Sequence, residues 1–135
     1  MKNVIFICRF NRFRGQIAAG FFNKHCPKSI ARAESAGLIK GDLPSGKEVK
    51  KFAKANKLKL TPVKGLERSV MNKQDIFVIV ADDVPPSIFT RYKNNGKKVI
   101  VWRISDTKET KKETFLNTIN TIEKKVMKLV EELRK

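Results

Sequence analysis

The chain of 135 residues is 41% hydrophobic and 32% charged, a balance that excludes a disordered chain and predicts one globular domain, residues 1–135. No apolar run is long enough to cross a bilayer, and the N-terminus lacks the pattern of a signal peptide. Cys8 and Cys26 are the only cysteines, which argues against a disulfide framework and predicts a cytoplasmic location.

The formal net charge of +17 has two interpretations. Such a charge is compatible with a nucleic-acid or anionic-membrane partner. The lysines, however, are spread along the whole chain, which favours their lying on the solvated faces of helices. We therefore expect the charge to attract phosphorylated ligands in a salt-dependent way, with nucleic acid as a less favoured partner.

Apolar runs and helical patterns alternate in the first half of the chain. Residues 3–7, NVIFI, predict a buried strand, and a helix follows through residues 15–24. Residues 29–37 predict a second, short strand that ends at Gly37. Residues 43–57 then predict a helix with one apolar face.

The alternation continues in the second half. A short helix is predicted at residues 64–72 and the clearest strand, DIFVIVA, at residues 75–81. Residues 85–96 suit a short helix that starts at proline and stops at Asn-Gly. Residues 97–104 predict the fourth strand, and residues 112–134 predict a long amphipathic helix packed on the sheet.

This order of elements predicts an α/β fold, a three-layer structure with a four-stranded parallel sheet and helices on both faces. Ligands of such folds bind at the carboxyl ends of the strands. Cys8, Asp82 and Asp106 each follow a predicted strand, so we expect the three side chains at one edge of the sheet.

The segment ICRFNRFRG after the first strand has the residues of an anion site. A tight turn from strand to helix can point several backbone N–H groups at one spot. A thiol there would lose its proton readily, and the planar fork of Arg14 can hold two oxygens of a phosphate. Asn11 tolerates the left-handed backbone that such a loop needs. The alternative is that Cys8 is an inert, small apolar residue.

Four segments in sequence order resemble the low-molecular-weight protein tyrosine phosphatase family. VIFICRFNRFRG (residues 4–15) resembles its phosphate-binding loop, C-x-x-N-x-x-R-[ST], which follows the first strand. ESAG (residues 34–37) resembles the Ser-Ala-Gly after its second strand, and VIVADD (residues 78–83) the strand beside the site. Residues 104–133 resemble the closing segment, in which an Asp-Pro carries the general acid and a long helix follows.

The resemblance implies a mechanism without metal or cofactor. Cys8 would attack a phosphate monoester and form a cysteinyl-phosphate, and Arg14 would hold its oxygens. Asp106 would protonate the leaving group and then activate water. Asn11 and Ser35 would form a hydrogen-bonded pair that supports the loop. The residues that would bind phosphate are Arg9, Phe10, Asn11, Arg12, Phe13, Arg14 and Gly15.

The loop departs from the family pattern at Gly15. The family has Ser or Thr there, and its hydroxyl donates a hydrogen bond to the thiolate. We expect the loss of this donor to raise the pKa of Cys8 and to make it a poorer leaving group. Arg9 and Arg12 offset this if they point inward, and have no such effect if they point to solvent.

A second departure concerns the walls of the site. Asp106 is not followed by proline, and the places of the family's substrate-contacting aromatics read TKET (residues 107–110) and LIKGD (residues 38–42). Phe10 and Phe13 could supply apolar walls instead, although Phe13 also suits the core. These replacements argue against specificity for phosphotyrosine.

The prediction is therefore a phosphomonoester hydrolase that acts on a phosphorylated protein or a small phosphomonoester and is inhibited by phosphate or vanadate. The alternatives are a non-catalytic anion-binding protein and an arsenate reductase that uses an external thiol, since we expect Cys26 to be structural. His25 is expected at the surface of a helix end. Asp82 and Asp83 are the reserve candidates for the acid, or else cap the following short helix.

Overall fold

The structure, a computed structural model, describes residues 1–39 and 44–135. The four strands are β1 (Lys2–Cys8), β2 (Ala31–Gly37), β3 (Ile76–Val80) and β4 (Lys98–Trp102). The helices are α1 (Arg14–His25), α2 (Lys47–Ala55), α3 (Arg68–Asn72), α4 (Thr90–Asn94) and α5 (Lys112–Leu133), and a 3-10 turn at Pro86–Phe89 precedes α4.

The sheet is parallel throughout, in the strand order β2-β1-β3-β4. In the central strand, Val4 is level with Ala33 of β2 and with Ile76 of β3. Because all strands run in one direction, their carboxyl ends lie along one edge of the sheet. The predicted four-stranded parallel fold is confirmed.

Helices cover both faces of the sheet. Along β1, successive side chains point to opposite faces, so that Val4 and Phe6 join one apolar cluster and Ile5 and Ile7 join the other. The first cluster packs against α1, α2 and α5, and the second packs against α3, α4 and the 3-10 turn. The predicted apolar stripe of α5 faces the first cluster, through Phe115, Ile119, Ile122, Val126, Leu129 and Leu133.

Three predicted helices are shorter than the sequence pattern suggested. α2 starts only at Lys47 because Gly46 is extended (ψ 158°), while residue 43 of that prediction lies outside the described residues. Of residues 64–72, only Arg68–Asn72 are helical. The segment 85–96 is divided into the 3-10 turn and α4; Pro85 is extended, as residues before proline usually are.

Within residues 1–39 and 44–135, no helix combines the length and the apolar character needed to span a membrane.

Candidate active site

The loop that joins β1 to α1, residues 8–15 and called here the Cys8 loop, turns sharply at Asn11. Asn11 has φ 59°, the left-handed region that asparagine tolerates better than most residues. Cys8 is the last residue of β1, and Arg14 is the first of α1. The predicted strand-to-helix turn, with a left-handed asparagine, is therefore present.

The end of β2 supports the Cys8 loop from the side. The carbonyl oxygens of Cys8 and Arg9 accept hydrogen bonds from the N–H groups of Leu38 and Ile39, both at 2.9 Å. A Cβ atom at Gly37 would lie 2.7 Å from the carbonyl carbon of Phe10. Only glycine allows this approach of two backbones, which is a physical reason for the Ser-Ala-Gly sequence at this position.

The Cys8 thiol is buried, with 2% of the residue exposed. The N–H of Gly15 donates to Sγ at 3.4 Å. Burial raises the pKa of Cys8 above its ordinary value; the Gly15 N–H, the charge of Arg14 and the Asn11 N–H oppose this rise, and the charge of Asp106 adds to it. This direction contradicts the expectation of a readily deprotonated thiol and agrees with the raised pKa expected from Gly15, although its largest cause is burial, which disfavours the charged form more than the neighbouring donors favour it.

Arg14 is buried and held from one side by acceptors at the ends of β3 and β4. Its Nη1 donates to the carbonyl oxygen of Ile104 at 2.9 Å, and its Nη2 donates to Asp83 at 3.0 and 3.2 Å. Its Nη1 also lies 3.7 Å from a carboxylate oxygen of Asp82. These contacts fix the plane of the guanidinium beside the Cys8 loop.

Asp83 thus acts as a partner of Arg14 and not as a helix cap. Among the described residues, no side chain caps the turn at Pro86–Phe89, so the capping interpretation is wrong. Asp82 instead accepts a hydrogen bond from the Ser105 hydroxyl at 2.6 Å. Sequence reasoning missed these pairings because nothing in the pattern distinguishes one aspartate from the other.

Asp106 lies in the segment between β4 and α5 (residues 103–111), called here the Asp106 loop. Its Oδ1 lies 3.9 Å from Nε of Arg14 and accepts the N–H of Thr107 at 2.9 Å. Its side chain is 54% exposed. Of the three aspartates, only Asp106 lines the same cavity as Cys8 within the described residues.

This cavity has a volume of about 360 Å³. Phe10 and Phe13 line it, and Phe13 also stacks on Phe115 in the core, with ring centroids 4.9 Å apart. Phe10 is 40% exposed, with the Arg9 guanidinium 5.2 Å from its ring centre. A largely polar set of residues lines the cavity as well: Gly46, Thr107, Lys108, Glu109 and Thr110.

Neither extra arginine of the loop contacts the thiol. Arg9 is exposed over Phe10, and Nε of Arg12 donates to the carbonyl oxygen of Pro44 at 2.8 Å. Among the arginines, Arg14 alone contributes to the pKa of Cys8. Arg12 does line the cavity, with its Nε bound to the carbonyl oxygen of Pro44.

A family model described as low molecular weight phosphotyrosine protein phosphatase matches residues 3–135. The chain belongs to this family. No curated protein sequence matches it.

Solved structures of the low-molecular-weight phosphatase family share the fold over nearly the whole chain. A low-molecular-weight phosphotyrosine phosphatase from Vibrio cholerae O395 has a TM-score of 0.85 at 16% identity, covering 100% of this chain and 98% of its own. An arginine phosphatase from Geobacillus stearothermophilus has 0.82 at 17%, covering 99% and 94%. Identities this low show the fold alone.

An arsenate reductase from Archaeoglobus fulgidus is 26% identical to the chain, with a TM-score of 0.77 and coverage of 95% of this chain and 98% of its own. The family fold is therefore shared by phosphatases and by a reductase of arsenate. The surroundings of the cysteine, and not the fold, must distinguish these activities.

The Asn11–Ser35 pair that the family pattern implies is not formed in the described part of the chain. The Ser35 hydroxyl pairs with that of Thr61 at 2.6 Å, and Thr61 in turn donates to Gln16. The Asn11 amide donates to the carbonyl oxygen of Lys64 at 3.4 Å, while its Oδ1 is buried without a partner among the described residues. The segment at residues 61–64 therefore supplies the hydrogen-bond partners of both Ser35 and Asn11. The sequence carries no motif that marks this segment.

Cys26 lies in the core at the other end of α1. A helix of 12 residues spans about 18 Å, so Cys26 is remote from Cys8. His25, the last residue of α1, is half-buried and stacks on Phe21. Within residues 1–39 and 44–135, no group of three His, Cys, Asp or Glu side chains is placed to hold a metal ion.

Proposed function

We propose that the protein is a phosphomonoester hydrolase that works through a cysteinyl-phosphate on Cys8. The observation that carries the proposal is the geometry around the thiol. The Gly15 N–H donates to Sγ, Arg14 is buried at the end of the same loop, and Asp106 lines the same cavity as the thiol. These are the parts that covalent phosphoryl transfer needs.

In the first step the Cys8 thiolate attacks phosphorus, and the bond from phosphorus to the ester oxygen breaks. Arg14 and the amides of the Cys8 loop stabilise the charge on the phosphoryl oxygens. Asp106 donates its proton to the leaving oxygen. In the second step water attacks phosphorus, Asp106 accepts its proton, and the bond from phosphorus to Sγ breaks to release phosphate.

The polar residues that line the cavity affect which substrates would fit. A phosphotyrosine ring would meet Phe10 and Phe13 but also threonine, lysine and glutamate side chains in the lining of the cavity. We therefore propose a phosphorylated protein or a small phosphomonoester with a polar leaving group, encountered in the cytoplasm. Inorganic phosphate and vanadate would inhibit because they bind the same amides and Arg14.

The direct test is hydrolysis of para-nitrophenyl phosphate, with vanadate as inhibitor. Cys8→Ser is expected to abolish turnover while vanadate or phosphate still binds, since binding depends on Arg14 and the loop amides. Hydrolysis by Cys8→Ser at a rate near that of the wild type would exclude the covalent mechanism. Phosphate binding by a wild-type protein that has no turnover would instead support the non-catalytic alternative.

A second candidate function is arsenate reduction, favoured by the 26% identity to an arsenate reductase. Cys8 would attack arsenic and displace water. Because Cys26 is remote, an external thiol would have to attack Sγ, releasing arsenite as the two electrons pass to arsenic, and a second thiol would free Cys8. Arsenate-dependent oxidation of added thioredoxin or glutathione tests it, and no such oxidation would exclude it.

A further inference from the structure

The carboxylate of Glu109 connects the Asp106 loop to the start of α2. Its Oε1 accepts the N–H of Val49, in the first turn of α2, at 3.3 Å. The first N–H groups of a helix lack partners within the helix, and a negative charge there is favourable. No side chain from the neighbouring sequence caps α2 among the described residues, so this distant glutamate takes that role.

Gly46 makes room for this contact. A Cβ atom at Gly46 would lie 1.8 Å from Oε1 of Glu109 and 2.4 Å from its Cδ. The backbone of Gly46 (φ −63°, ψ 158°) is one that any residue adopts. Glycine at residue 46 therefore leaves space for the Glu109 carboxylate; the backbone conformation does not require it.

The Asp106 loop is consequently held at both ends. At its start, the carbonyl oxygen of Ile104 accepts from Arg14, and the Ser105 hydroxyl donates to Asp82. At its far end, Glu109 is bound to α2. Asp106 lies between these two anchors and is itself 54% exposed, so the anchors and not burial define its position.

The segment before α2 also contacts the Cys8 loop. Nε of Arg12 donates to the carbonyl oxygen of Pro44, two residues before Gly46. Residues 44–46 thus touch the loop that carries the thiol as well as the loop that carries the aspartate. A shift of Glu109 away from Gly46 would loosen the Asp106 loop while leaving the Cys8 loop in contact with this segment.

We propose that Glu109 is a positioning residue that holds the Asp106 loop against α2 and so keeps Asp106 directed at the leaving group bound to Cys8. The inference rests on the proposed function, since it takes Asp106 as the general acid. Misplacement of a reacting group by about 1 Å can cost about 10²-fold in rate. The cost falls only on steps that need the proton.

The experiment compares phenyl phosphate, whose leaving group needs a proton, with para-nitrophenyl phosphate, whose leaving group needs it less. Glu109→Ala and Gly46→Ala are expected to lose about 10- to 100-fold in kcat/KM on phenyl phosphate and much less on the nitrophenyl ester. The double variant is expected to lose no more activity than either single variant, because both substitutions remove the same contact.

Glu109→Gln keeps an acceptor oxygen but loses the charge, so it is expected to retain more activity on phenyl phosphate than Glu109→Ala does. Glu113→Ala, which removes an exposed carboxylate four residues further on, is the matched control and should change neither rate. Gly46→Ala leaves Glu109 intact, so it carries the test if Glu109→Ala folds poorly.

The outcomes separate this inference from the proposed function. A wild type that hydrolyses neither ester contradicts the proposed function and this inference with it. An active wild type with unchanged Glu109→Ala and Gly46→Ala variants contradicts only the positioning role. Equal losses on both esters, or additive losses in the double variant, would likewise assign Glu109 a purely structural role.

Discussion

Gly15 affects the chemistry of the site because it has no side chain and therefore no hydroxyl donor. A Cβ atom there would lie 3.4 Å from Sγ of Cys8 and 3.5 Å from Oδ1 of Asn11, an oxygen without a partner among the described residues. A hydroxyl on that Cβ could therefore reach Oδ1 of Asn11, which has no donor among the described residues, and Sγ of Cys8, which accepts from the Gly15 N–H. A buried acceptor left unpaired costs free energy, so a donor at residue 15 would satisfy Asn11 Oδ1 and add a second hydrogen bond to Sγ.

We predict that Gly15→Ser lowers the pKa of Cys8 and speeds breakdown of the cysteinyl-phosphate. A hydrogen bond to a charged group is worth roughly 1.5–3 kcal/mol, so breakdown should accelerate by about 10- to 100-fold. The pH dependence of Cys8 alkylation and the size of the product burst measure these effects. Alkylation should reach its plateau at lower pH in the variant, since more thiolate is present there.

Gly15→Ala is the matched control, because it adds the Cβ without the hydroxyl. That Cβ would lie 3.1 Å from the carbonyl oxygen of Phe6, so both variants need a shift of a few tenths of an ångström. If serine and alanine give the same alkylation profile and the same burst, the loop amides already supply what the hydroxyl provides in other members of the family.

The contact between the end of β2 and the Cys8 loop depends on Gly37. The three atoms that a Cβ there would meet, at 2.7 to 3.1 Å, all belong to the backbone of residues 9–11. Backbone atoms cannot rotate aside as a side chain can. The loop itself would have to move, and with it the amides around the thiol.

We therefore predict that Gly37→Ala abolishes vanadate binding and destabilises the protein by about 1–3 kcal/mol. Calorimetric titration with vanadate and urea unfolding measure the two effects. Gly20→Ala is the control: its Cβ would meet atoms of the Leu58 side chain at 3.2 Å or more, and its nearest neighbours include no atom of the Cys8 loop. Full vanadate affinity in Gly37→Ala would contradict the role of this close approach.

A second contact between elements joins β2 to residues around α3 through Glu34. Its carboxylate pairs with Lys64, with Lys73 at 3.3 Å and with the Gln74 amide at 2.8 Å. Burial by itself raises the pKa of Glu34, but the hydrogen bonds from Lys64 and Gln74 and the two lysine charges outweigh it, and the pKa is lowered from its ordinary value.

A carboxyl whose pKa is lower in the folded state stabilises the fold above its unfolded pKa, and this contribution is lost as pH falls through the folded value. We predict that Glu34→Gln is less stable than the wild type at pH 7, and that the difference shrinks below the ordinary pKa of about 4.5. Urea unfolding at pH 7 and pH 3 measures it. A difference independent of pH would show that the carboxylate charge is not involved.

For the whole molecule, the net charge of +17 creates a field that acts on any anionic substrate. Lys108 is exposed in the lining of the cavity and Arg9 is exposed over Phe10, while the other lysines that the structure describes are spread along the sequence and do not line the cavity. Their attraction is therefore long-ranged and sensitive to salt, since the Debye length falls from about 30 Å at 0.01 M to about 8 Å at 0.15 M.

We predict that kcat/KM for para-nitrophenyl phosphate falls several-fold between 0.01 and 0.15 M NaCl, while kcat stays constant. The first constant includes the encounter with the dianion, whereas kcat describes the bound complex alone. Steady-state kinetics in a salt series measure both. A constant kcat/KM would indicate that the charge serves solubility and has no part in capturing the substrate.

The sequence by itself determined the elements, the parallel sheet and the position of the Cys8 loop. Strands and helices follow from the period of apolar residues, which is a local property. The spacing of Cys8, Asn11 and Arg14 is local as well. The carboxyl ends of parallel strands must meet at one edge, so the proximity of Asp106 to Cys8 followed from the fold alone.

Only the tertiary structure decided which side chains pair and how burial, donors and charges combine to set the pKa of the Cys8 thiol. Asp83 and not Asp82 binds Nη2 of Arg14, and Ser35 pairs with Thr61 and not with Asn11. These partners are 69 and 26 residues apart, and their chemistry would suit several others equally well. The pKa of Cys8 depends on burial against donors and charges, a balance of opposing effects that exists only once the chain is packed.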